Sequence, residues 1–138
     1  MAYGDYVARI DLYNPTGADQ NTPDICLVTG NIYAYVCLVG AVISVKTLAI
    51  SSAGDITPSI IASFTVATDP LSGQGKPSIT MISPGVFGVL YGFMVFNGGY
   101  KAHPRITTIS ISSDGATIAA IDTETYTQTS VGMVGQKL

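Results

Sequence analysis

The stretch Val45-Lys-Thr-Leu-Ala-Ile-Ser-Ser-Ala-Gly54 returns 61 residues later as Ile106-Thr-Thr-Ile-Ser-Ile-Ser-Ser-Asp-Gly115, and both copies end on Ile-Ser-Ser-x-Gly. Upstream, the match runs without a gap at a displacement of 54, from Tyr6–Leu38 onto Ile60–Gly92. There Pro23 meets Pro77, Ile25 meets Ile79, Val28 meets Ile82, Ile32 meets Val86 and Tyr33 meets Phe87. A seven-residue insertion in the second copy accounts for the change of displacement. Downstream, Ile118-Ala-Ala-Ile-Asp122 lies on Ile61-Ala-Ser-Phe-Thr65, and also on Val7-Ala-Arg-Ile-Asp11. Apolar residues fall on apolar residues in three segments taken in the same order. The chain therefore holds two copies of one unit of about fifty-four residues, the signature of a repeat architecture.

Each unit reads as four short strands. The first spans 24–29 and 78–83, the second 32–38 and 86–91, the third 45–51 and 106–112, the fourth 59–66 and 118–125. β-branched and aromatic residues fill these runs, and Gly, Asn, Pro and Asp punctuate them. The first pair meets at a tight turn, as a hairpin does. No stretch sustains a 3.6-residue period, so helix is not expected. Residues 39–44 and 92–104 are left as loops between the second and third strands, the latter containing the insertion.

The second strand, Ile32-Tyr-Ala-Tyr-Val-Cys-Leu38, is apolar on both faces, whereas the third carries Lys46, Thr47 and Ser51. A gradient from doubly covered inner strands to wetter outer ones fits the blade of a β-propeller. The residues also resemble a class of environmental microbial β-propeller repeats. The matching segments are Ile32-Tyr33-Ala34-Tyr35, Lys46-Thr47-Leu48-Ala49-Ile50 and Ile60-Ile61-Ala62-Ser63-Phe64, and the likeness covers nearly all of 6–126. It implies an all-β fold of two four-stranded antiparallel blades per chain and is nearly silent on function. The chain departs from that pattern in both loops between second and third strands, where a Gly/Asp-rich turn is usual.

Tyr6–Tyr13 matches a fourth strand placed before the first unit, so the chain carries one extra N-terminal outer strand. The resulting division is 6–22 for this strand and its linker, 23–76 and 77–127 for the two units, and 128–138 for a tail, all within one repeat domain. Two blades do not close a ring, since propellers use about four to eight. Three or four copies of the chain would, and if the rotation failed to close, the same contacts would give a filament. Tyr6, Val7, Ala8, Ile10 and Leu12 are candidates for strand exchange between neighbouring copies.

Composition agrees with assembly. The chain of 138 residues is 47% hydrophobic and only 11% charged, against about 25% charged in a typical soluble domain. Its six basic residues are scattered and its net charge is −3, which argues against a nucleic-acid surface. Two runs, 25–45 and 77–100, are long and uncharged enough to raise the membrane question. Each is broken by turn residues and rich in strand formers, so strands are expected there and no membrane partner. Met1-Ala-Tyr-Gly-Asp-Tyr6 shows no basic segment followed by an apolar one, so no signal peptide is visible. That suits a cytoplasmic or virion chain, and equally an extracellular one already processed.

No reactive set stands out. Cys26 and Cys37 fall on facing strands of one hairpin, read as diagonal neighbours on the same face and as two free thiols. His103 is the only histidine, so no zinc site or relay is expected around it, and it is read as an exposed loop residue. Asp55 and Asp114 flank turn glycines, where side-chain hydrogen bonding accounts for them. No cofactor, metal or enzymatic activity is expected. The place to look for recognition or subunit contact is the inserted segment, with Asn97, Tyr100, Lys101 and His103. The expected function is a self-assembling structural scaffold, the alternative a lectin-like module binding carbohydrate.

Overall fold

In the computed structural model of the chain, residues 23–68, 76–96 and 100–126 are described, and they contain eight β-strands and no helix. β1 (Asp24–Thr29), β2 (Ile32–Val39), β3 (Val42–Ala49) and β4 (Ala62–Thr68) form one antiparallel sheet in that order. β5 (Ser78–Ser83), β6 (Val86–Phe96), β7 (Tyr100–Ile111) and β8 (Ile118–Thr125) form a second with the same order. The fold is all-β, and each sheet is formed by one of the two similar stretches of sequence. The two uncharged runs are strands. Among the described residues no helix is long and apolar enough to cross a membrane.

Glycines set the turns. Gly30, Gly40 and Gly85 adopt positive φ, the region a side chain disfavours, at the β1–β2, β2–β3 and β5–β6 reversals. The reversal at Gly40 is tight: Val39 pairs with Val42. β3 therefore begins three residues earlier than the polar pattern suggested, and 39–44 is not a loop. Its other end is set by a turn in which the Ser51 N–H donates to the Asp55 carbonyl. The connection to β4 includes Pro58, which has no N–H for a ladder, and β4 starts at Ala62 instead of residue 59.

Residues 92–96 and 100–104 are also not a loop. They lengthen a hairpin: β6 and β7 pair from Val86–Ser110 out to Phe96–Tyr100. Tyr100, Lys101 and His103 thus stand on a strand. Pro104 is tolerated in β7 because it lies just past the β7–β8 ladder, whose last pair is Arg105–Thr125. Its carbonyl accepts from the Tyr126 N–H.

The sheets pack face to face with equivalent strands over one another, β1 beside β5 and β4 beside β8. One hydrophobic core spans them. It takes Ala34, Val36, Leu38, Ile43 and Val45 from the first sheet, and Ile79, Phe87, Val89, Tyr91 and Ile109 from the second, all buried. Polar links also cross the gap. The Thr47 hydroxyl donates to the Gly115 carbonyl at 2.7 Å, and the Ile79 N–H donates to the Asp24 carboxylate at 3.1 Å. Thr47 also accepts from the Ala62 N–H at 3.0 Å, so one buried hydroxyl ties β4 to β3 and both to the second sheet.

Candidate functional site

Side chains alternate across a strand, so each sheet has two faces, and directly opposed residues share a face. In the first sheet the face toward the second carries Cys26, Ala34, Val36 and Val45. The opposite face carries Ile25, Tyr33, Tyr35, Cys37 and Leu48, as the pairings Ile25–Tyr35–Lys46 and Leu27–Tyr33–Leu48 require. In the second sheet the inner face is that of Ile79, Phe87, Val89 and Ile109. Counted by repeat position, these match Ile25, Tyr33, Tyr35 and Leu48. The two units therefore meet through opposite faces. The second sheet presents to the first the very face that the first leaves outside.

Exposure follows the relation at two positions of the first strands, while at Tyr35, Cys37 and Leu48 the outer face is buried like its counterparts. Ile79, facing the first sheet, is 4% exposed, while its counterpart Ile25 is 51% exposed. Val28, facing the second sheet, is 5% exposed, while its counterpart Ile82 is 59% exposed. The polar link behaves likewise: Thr47 and Gly115 are buried, and their counterparts Thr108 and Gly54 are half-buried. Such contacts are heterologous, head to tail, and leave one unmatched face at each end of the pair.

Each unmatched face has an apolar floor. On the first sheet Tyr35, Cys37 and Leu48 are buried, with Ile56 and Ile60 of the β3–β4 connection packed against them. On the second sheet the corresponding face is flatter, with Val86, Leu90 and Ile106 half-buried around Gly88. Among the described residues, two buried side-chain oxygens lack a hydrogen-bond partner, Tyr35 Oη and Ser78 Oγ. Tyr35 belongs to the first of these faces, and Ser78, opposite Leu90, belongs to the second.

The cysteines are free but do not share a face. Cys26 stands opposite Ala34, not residue 35, and packs into the inter-sheet core, while Cys37 belongs to the outer face of the same sheet. A one-residue difference in register sends a side chain to the other side. Burial pushes the Cys26 thiol up to about 11, with the Asp24 carboxylate adding to it. Burial pushes the Tyr35 phenol up to about 12, with Cys37 contributing. The Cys37 thiol is also raised by burial, partly offset by Lys46. Neither thiol is primed as a nucleophile.

Of the sequence-predicted site residues, His103 is buried, not exposed, because it stands on β7 opposite Phe93. Tyr100 and Lys101 are placed by their backbone at the far end of the same hairpin. Asn97 lies outside the described residues, as do Tyr6, Val7, Ala8, Ile10, Leu12 and the extra outer strand they were read to form. Asp114 is held below the usual carboxylate range by the Ser112 hydroxyl and the Ala116 N–H, which closes its turn. Among the described residues no group of three or more His, Cys, Asp or Glu could hold a metal. No family model matches the chain, and no curated protein or solved structure matches it.

Proposed function

We propose that the chain is a non-catalytic structural module whose two sheets are propeller-type blades, and that copies assemble head to tail into a closed ring or a filament. Three copies would supply six blades and four would supply eight, within the range of about four to eight that propellers use. The observation that carries this reading is the reciprocal exposure at Ile25 and Ile79, and at Val28 and Ile82. At these two positions the residue is buried where a neighbouring sheet exists and open where none does.

The driving force is of the usual kind. Ile25, Leu27 and Ile82 are large and about half exposed, so covering each is worth roughly half of the about 1.5–3 kcal/mol that full burial of such a side chain gives. Cyclic closure removes both unmatched ends, whereas a single chain keeps them. Size-exclusion chromatography with light scattering tests the proposal. A mass of three or four copies, or a larger polymer, is expected. A stable monomer at the chain mass of 14.3 kDa would refute it.

A further inference from the structure

We infer that the interface between copies repeats the contact within the chain in the same register: the outer face of the second sheet of one copy seats on the outer face of the first sheet of the next. This rests on the assembly proposed above and adds its geometry. The occupant of each open face is a second copy of this chain, because each face is the sequence counterpart of one already matched inside it.

The residues that join the two sheets name those that would join two copies. Ile82 takes the place of Val28, and Ile25 of the receiving copy takes the place of Ile79. Thr108 takes the place of Thr47, and Gly54 that of Gly115. The Thr108 hydroxyl of one copy would then donate to the Gly54 carbonyl of the next, as Thr47 donates to Gly115 at 2.7 Å. Gly54, like Gly115, has positive φ, at 89° and 73°, so the two turns present the same backbone shape.

Site-directed cross-linking tests the register. A Cβ built on Gly115 lies 3.3 Å from Thr47 Cβ, close to the separation of about 3.5–4.5 Å that a disulfide spans. The equivalent pair between copies is Thr108 and Gly54. In a background with Cys26→Ala and Cys37→Ala, Thr108→Cys protein and Gly54→Cys protein are refolded separately and together, then oxidised with copper phenanthroline. A covalent dimer is expected in the mixture and neither protein alone should give one. A mixture that reaches the oligomer mass without cross-linking would overturn the register while leaving assembly standing. A Thr108→Cys protein that cross-links to itself would overturn it too, by showing a two-fold contact. A wild-type chain that is monomeric by light scattering refutes both. A Gly54→Cys protein that alone fails to assemble fits the register, because a Cβ there would meet Val86 of the neighbouring copy as one on Gly115 meets Ile32.

Ile82→Glu provides a second reading that avoids the turn at Gly54. The side chain is 59% exposed in the single chain, so the circular dichroism spectrum and melting temperature of the unassembled chain should hold. The oligomer should fall to monomer. An oligomer of unchanged mass would contradict the assigned face.

Discussion

The turn that carries Gly115 offers the sharpest test of how the two sheets meet. Gly115 has φ +73°, and a Cβ there would lie 2.8 Å from Ile32 Cγ2 and 3.3 Å from Thr47 Cβ. Ile32 is β-branched and stiff at χ1, so it cannot swing aside cheaply. Gly115→Ala therefore meets two penalties. The left-handed backbone costs about 1–2 kcal/mol for a residue with a Cβ. Overpacking against the first sheet costs about 1–3 kcal/mol more. Gly30→Ala separates them, because Gly30 has φ +53° and a Cβ there meets nothing within 4 Å. Urea denaturation of the two variants, at one protein concentration, gives the difference. Gly115→Ala should lose about 1–3 kcal/mol more than Gly30→Ala, a large share of a typical total stability of about 5–15 kcal/mol. If the two variants lose the same amount, the turn does not pack on the first sheet and the face assignment fails.

Three further outcomes follow from the same contacts. Thr47→Val keeps the shape but strands the Gly115 carbonyl and the Ala62 N–H, and should cost about 2–4 kcal/mol by denaturant midpoint, whereas Thr47→Ser should recover most of it. Phe87→Ala, at a fully buried inter-sheet position, should cost about 3–5 kcal/mol, while Ile25→Ala should cost far less in the unassembled chain. The pH dependence has a definite sign: burial raises Cys26 from 9.0 to about 11 and Tyr35 from 10.0 to about 12, so the unfolded chain releases protons that the folded chain keeps. These groups leave stability unchanged below about pH 8 and erode it as pH rises from 9 toward 12, so a urea midpoint equal at pH 8 and about 10.5 would contradict them.

The strands whose both ends carry turn residues are legible in the sequence. β1, β5 and β8 occupy the residues that propensity and punctuation predict. β3 and β4 do not, because a two-residue reversal at Gly40 and the presence of Pro58 shift both boundaries. The insertion reads as a loop because glycines mark it, yet the described residues on either side, up to Phe96 and from Tyr100, belong to two long paired strands. His103 followed that error from exposed to buried. The match of Ile118–Asp122 to Ile61–Thr65 also differs from the sheet register: Asp122 stands opposite Thr108 and Ala62 opposite Thr47, and the two ladders carry their bulges at different places. Which face of each unit turns inward was not legible at all. Both faces of β2 are apolar, and only the position of a neighbouring sheet decides which of them is open.

The symmetry of the assembled particle tests the central claim most directly, and electron microscopy of the purified protein reads it. Head-to-tail packing predicts rings of three-fold or four-fold rotational symmetry, or a filament in which every junction is the same. Particles whose copies are related by a two-fold axis across matching faces, or no particle beyond a single chain, would contradict it.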